Sequence, residues 1–184
     1  MLGLGNSLTQ NSVLREITAP YSYSESIIGS GDGWEALSVS GSPTIQYNQT
    51  APDSTAGWMK LTFDETQANF WALSNSTILN GRVEVGSTAT ISYEIFLDTA
   101  ALWGDGSGSP ADSISWQTFY GSRSSSNTAV TAGNASSTTI SKLISATSTS
   151  SIIQLRQGLY AAEDFPLAGA EVYIKNLSIS ITYT

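Results

Sequence analysis

From Tyr21 onward the chain is built of short runs that alternate apolar and polar residues, separated by clusters of Gly, Pro, Asn, Asp and Ser. A two-residue period turns one side of a strand toward a core and the other toward water, so each run predicts a half-buried strand. The runs are Tyr21–Ile28, Trp34–Val39, Thr44–Gln49, Gly57–Phe63, Asn69–Leu73, Thr88–Leu97, Ser113–Tyr120, Thr138–Ala146, Ser151–Gln157 and Glu171–Tyr183. In Thr88–Leu97, Ala89, Ile91, Tyr93, Ile95 and Leu97 share one side, opposite Thr90, Ser92 and Glu94. The last run has Val172 and Ile174 in one phase and Leu177, Ile179, Ile181 and Tyr183 in the other, which predicts a bulge at Lys175-Asn176. Many short strands with turn signals between them predict an all-β chain, a sandwich or barrel of about eight to ten strands.

Two stretches read as loops: Gly104–Asp112 (GDGSGSPAD), rich in glycine and serine, and Gly121–Ser137, poor in apolar residues. Residues 1–20 differ from the rest. Leu2, Leu4 and Leu8 are spaced by glycine and polar residues, Asn11–Ile17 (with Val13 and Leu14) suits a helical turn or two, and Pro20 closes the segment. We expect a short N-terminal arm, residues 1–20, before one domain spanning 21–184. Its alternative is a strand leader packed on its own domain.

Composition narrows the chemistry. The 184 residues include no His and no Cys, and only 12% are charged. Imidazole and thiolate metal sites, Ser-His-Asp and Cys-His machinery and disulfides are therefore excluded. Serine and threonine make up more than a quarter of the residues, and they suit strands and turns better than helix interiors. Seven Lys+Arg against fifteen Asp+Glu give a net charge of −8, unsuited to nucleic acid, and no apolar run is long enough to span a bilayer. The N-terminus has neither the basic nor the apolar region of a secretory signal.

A glycosidase needs two carboxylates. Asp64-Glu65, Glu163-Asp164 and Asp105 with Asp112 are the candidates, and all read better as solvated turn residues. The Asp105–Asp112 loop offers oxygen ligands for calcium but lacks the EF-hand spacing and its closing glutamate. No catalytic residue, metal or cofactor is expected, and the chain is not expected to be an enzyme. Aromatic rings are more promising, because sugars stack their C–H faces on flat side chains. Trp116, Thr118 and Tyr120 share one side of their strand, and Trp103 borders a loop. Trp103, Trp116 and Tyr120 are thus the candidate glycan platform. Against this stands the alternative that Trp34, Trp58, Trp71 and Trp116 are core. Four Asn-x-Ser/Thr sequons, at Asn48, Asn75, Asn134 and Asn176, are expected by chance in so hydroxyl-rich a chain.

The order of features resembles the jelly-roll carbohydrate-binding modules that flank glycoside hydrolases. The residues that carry the resemblance are Ser30-Gly31-Asp32-Gly33-Trp34, the run from Val85-Gly86 into the strand around Tyr93, and Val172-Tyr173-Ile174-Lys175-Asn176-Leu177-Ser178. The resemblance implies a jelly-roll β-sandwich. Lys175 stands where the family often has aspartate, which argues against a calcium site of that kind. The Leu-Gly-Leu-Gly-Asn-Ser-Leu opening and the Ser/Thr/Gly-rich body also resemble accessory virion proteins of tailed bacteriophages. On that resemblance the first expectation is a non-enzymatic decoration, cement or fibre protein on the outer surface of a virion. It would be held by Leu2, Leu4, Leu8, Val13 and Leu14 of the arm, with other virion proteins and copies of itself as partners. The second expectation is a carbohydrate-binding module stacking glycan rings on exposed aromatics. Neither involves nucleic acid or membrane.

Overall fold

The computed structural model describes residues 21–38, 40–67, 71–79, 86–99, 102–104, 114–120, 123–124, 128–130, 138–145, 152–157 and 165–183. Residues 1–20, with every arm residue named above, lie outside the described residues, as do residues 105–112. Within them, two antiparallel sheets pack face to face as a jelly-roll β-sandwich, with no α-helix. The first sheet runs β11 (Thr138–Ser145), β6 (Thr88–Leu97), β14 (Glu171–Thr182), β4 (Trp58–Thr62), β3 (Thr44–Gln49). β1 (Tyr21–Glu25) also pairs β14, along Leu177–Ile181, while β4 takes Glu171–Ile174. The second sheet runs β10 (Thr128–Val130), β8 (Ile114–Tyr120), β12 (Ile153–Gln157), β5 (Trp71–Asn75), β2 (Trp34–Ser38), with β9 (Arg123–Ser124) pairing β8. A two-stranded piece, β7 (Trp103–Gly104) with β13 (Phe165–Pro166), completes the set.

The alternation seen in the sequence is what builds these sheets. β3 and β6 have the bounds expected, and the other eight runs differ by a few residues at their ends. The fourteen strands among the described residues exceed the eight to ten expected because β7, β9, β10 and β13 are two or three residues long, too short for a period to register. Two of them, β9 and β10, fall in the stretch Gly121–Ser137 that reads as a loop. In β10, Val130 (1% exposed) joins the core.

The inward sides meet in one core that includes Ile91, Tyr93 and Ile95 of β6, Val172, Ile174 and Ile179 of β14, and Leu73, Ile153 and Leu155 of the second sheet. At Asn176, φ is 52° and the β14–β6 register slips between Lys175 and Ser178. The bulge expected there lets both apolar phases of β14 face inward. Two hydroxyl contacts cross the apolar interior between the sheets: Tyr93 to Thr118 at 2.7 Å and Tyr120 to Ser87 at 3.0 Å. The Ser30–Trp34 turn is pinned to the end of β5, since the Asp32 carbonyl accepts from Asn75 Nδ2 and Thr77 Oγ1 (2.5 and 2.9 Å). Gly33 is required there: φ is +75°, and a Cβ would stand 2.5 Å from Thr77 Oγ1.

Outside the main core, on the outer side of the first sheet, a second cluster joins Trp58, Phe96, Tyr173 and Ala51. Its rings meet edge to face at 5.9–6.5 Å. The Lys175 ammonium lies 4.1 Å from the centre of the Trp58 ring, and Lys60 pairs with Glu171 at 2.8 Å. Trp58 is thus buried as expected, though not between the sheets, whereas Trp34 is (5% exposed). The side chains of Trp71 and Trp116 are outside the described residues.

One end of the sandwich is closed by a buried carboxylate. Asp98 accepts the Trp103 indole N–H at 2.8 Å and the Glu171 backbone N–H at 2.9 Å, and Trp103 packs edge-on against Phe63. Burial pushes the Asp98 carboxyl up to about 6, although both hydrogen bonds favour the ionised form. A carboxyl raised in the folded state makes that state bind more protons than the unfolded chain between about pH 4 and 6. Stability should therefore fall as pH rises through this window, by on the order of 2 kcal/mol, and level off above it. Asp98→Asn should flatten that slope in urea midpoints measured from pH 4.5 to 7, even though its amide accepts only one of the two hydrogen bonds. A variant that keeps the wild-type slope would show that Asp98 is not the titrating group. The bulge gives a second test, because a non-glycine residue in the left-handed region costs about 1 kcal/mol. Asn176→Ala should lower the urea midpoint more than Asn176→Gly, although both lose the 2.6 Å bond to Glu94. Equal midpoints would remove the backbone explanation.

Candidate functional site

Two of the three rings of the expected aromatic platform, Trp103 and Tyr120, are not on the surface. Trp103 and Tyr120 are both 0% exposed. Trp103 is held by Asp98 and Phe63, and Tyr120 faces the core with its hydroxyl against Ser87. Each indole or phenol needed a partner for its polar atom, and the fold supplies it inside. Neither ring can stack on a sugar, which corrects that expectation for both. Trp116 lies in β8 at the same alternation as Thr118 and Tyr120, opposite Gln157 of β12 and Thr128 of β10. That alternation is the one turned to the core at Thr118 and Tyr120.

The expected turn role of Asp64 is met: both its oxygens accept the Ser42 N–H, each at 2.9 Å. Glu163 and Asp164 lie outside the described residues. Among the described residues no three Asp or Glu gather closely enough to hold a metal ion.

The outer side of the second sheet, built by the positions between the inward ones, carries a set of polar groups with relief. Register sets two rows across it. Glu35, Ser74 and Gln154 are successive partners on β2, β5 and β12, followed by Phe119 of β8. Leu37, Ala72 and Arg156 make the next row, followed by Gln117. β5 contributes only small side chains here, and both are buried: Ala72 at 0% and Ser74 at 8%. Its neighbours carry long ones, with Glu35 and Leu37 exposed and Gln154 and Arg156 half-buried. Small residues between long ones on strands about 4.8 Å apart make a trough along β5 whose walls, about 9–10 Å apart, cover its floor.

The walls offer a carboxylate acceptor, an amide that both donates and accepts, and a guanidinium fork. Partial burial pulls the Arg156 pKa down. Leu37 and Ile152, each 36% exposed, add aliphatic surface at either end. Among the described residues Glu35 is the one carboxylate on this side, so the two-carboxylate arrangement of glycoside hydrolysis is not assembled there. None of Glu35, Leu37, Gln154 and Arg156 is aromatic, so a sugar-stacking pattern in the sequence does not reveal them. Their signal was the alternation itself: in Glu35-Ala36-Leu37 and Gln154-Leu155-Arg156 the middle residue is inward and the outer two are not.

No protein-family model matches the sequence, and no curated protein matches it. Solved structures do. The CBM22-1 xylan-binding domain from Paenibacillus barcinonensis Xyn10C matches with a TM-score of 0.54 at 15% identity, covering 88% of this chain and 94% of that one. A CBM22 xylan-binding domain formerly termed x6b matches at 0.53 and 12% identity, covering 88% and 95%. A family 29 carbohydrate-binding module matches at 0.50 and 12% identity, covering 89% and 90%. None of these is a virion protein. At such identities the likeness is one of architecture: the chain has the jelly-roll fold of these carbohydrate-binding modules.

Proposed function

We propose that the protein is a non-enzymatic carbohydrate-binding module that holds an uncharged glycan strand along the β5 trough. The observation that carries this reading is the pair of rows Glu35–Ser74–Gln154 and Leu37–Ala72–Arg156, which set hydrogen-bonding and aliphatic groups on either side of a small-residue floor. Sugar rings present the matching surface, hydroxyls around the rim and C–H on the faces. The same architecture is xylan-binding in the structures above, and forms of a family 29 module are complexed with cellulohexaose and with mannohexaose. The charge of −8 disfavours acidic glycans. This reading reverses the order of the two sequence expectations. The virion role and the arm anchor keep only their sequence resemblance as support.

Titration calorimetry against xylo-, cello- and mannohexaose is the test. At least one should bind. Arg156→Ala should weaken that ligand about tenfold or more, the scale of one hydrogen bond from a charged group. Arg156→Lys should recover little of it, because an ammonium lacks the planar fork. Binding of none of the three by the wild-type protein would overturn the reading.

A further inference from the structure

The bulge at Asn176 divides the outer side of the first sheet in two. Toward the start of β14 lie the aromatic cluster and both ion pairs, Lys60–Glu171 and Lys175–Glu94. Beyond it every outward position of β1, β14 and β6 is a hydroxyl. Ser24, Ser178 and Ser92 form one row across the three strands. Ser22, Ser180 and Thr90 form the next, and Thr182 opposite Thr88 begins a third. On β11 the register continues with Ser141 and Ser145, and with Leu143, 72% exposed, opposite Thr90. Soluble β-proteins commonly place Lys and Glu at such positions to keep sheets apart. Past the bulge the outward positions of β1, β14 and β6 hold none: Glu25 of β1 and Lys142 of β11 fall opposite Leu177 and Ile91, which face the core, and Lys60 and Lys175 are both paired on the other half.

The spacing gives the array a chemistry. Opposed strands stand about 4.8 Å apart and successive outward residues about 6.7 Å apart. Facing hydroxyls can reach one another across that gap in suitable rotamers, but no hydrogen bond joins them here. Of the eight on β1, β14 and β6, only Thr182 bonds within the protein, to the Thr88 carbonyl at 3.4 Å. An incoming hydroxyl placed between two of them lies within reach of both. Each serine or threonine donates and accepts, so the array suits a partner that is itself covered in hydroxyls. A nucleic acid would need cations, and a protein partner an aromatic or aliphatic centre, and the array has only Leu143 at one corner. The sheet's twist suits flexible chains better than a flat crystal face.

We propose that this hydroxyl array is a second contact face, which lies against the surface of an insoluble, uncharged polysaccharide. Each contact is weak, and holding follows from many engaged at once. The proposal shares only its ligand class with the trough reading, and the two fail separately. The test is depletion of the protein from solution by suspended amorphous cellulose. Wild type should be depleted equally at low and at about 1 M salt, where charge pairing is screened. Thr90→Lys/Ser180→Lys should lower the partition at least about tenfold while leaving the calorimetric affinity for soluble hexasaccharides unchanged. Thr88→Lys, at a separate row, gives an independent variant, and Ser180→Thr should behave as wild type. Arg156→Ala should lose soluble ligand and keep depletion. Failure of wild type to be depleted, undiminished depletion of both lysine variants, or loss of depletion in Arg156→Ala would each overturn the second face. The last outcome would leave the trough reading in place.

Discussion

Much of this structure depends on β14 keeping its apolar side inward for its whole length. Twelve residues of strict alternation would carry Val172 and Ile174 to one side and Leu177, Ile179 and Ile181 to the other, exposing one set to water. The left-handed turn at Asn176 absorbs one residue and resets the phase. Because β14 then pairs with β6 along one edge and with β4 and β1 along the other, its phase determines theirs. The core between the sheets is thus continuous past the bulge, and the outer side is not. That discontinuity separates the packed aromatic and ionic half from the hydroxyl half.

The second sheet solves a simpler problem with the same rule. Its inward residues, among them Trp34, Leu73, Ile153 and Leu155, fill the core, which leaves the intervening positions available for chemistry. With alanine and serine on β5 and long polar residues on its neighbours, those positions make relief where uniform side chains would make a flat sheet. Neither His nor Cys is needed for that. The inventory that excludes common catalytic sites supplies amides, hydroxyls and guanidinium groups, all of which can recognise sugars.

How much of this was legible beforehand differs by scale. The bounds of β3 and β6, the inward set of β6 and the bulge follow from two-residue alternation, a local property that survives folding. The fate of the aromatic residues does not. Whether Trp103 is a platform or a plug is decided by Asp98, five residues away, and by Phe63 forty residues earlier, meeting where β7 pairs with β13. Trp58 reads as sandwich core, and is buried on the other side of its sheet because the segment around Ala51 folds over it. Gln154 and Arg156 were visible as outward residues of a strand. Their relation to Glu35 and Leu37 needs the order β12-β5-β2, which no local pattern contains.

Glycan recognition on the outer side of the second sheet is tested most directly by residue-resolved amide NMR during titration with xylohexaose, and with cellohexaose and mannohexaose in turn. Shifts should concentrate on Glu35, Leu37, Ser74, Gln154 and Arg156, with β6 and β11 unmoved. Shifts confined to other surfaces, or none with any of the three, would contradict it.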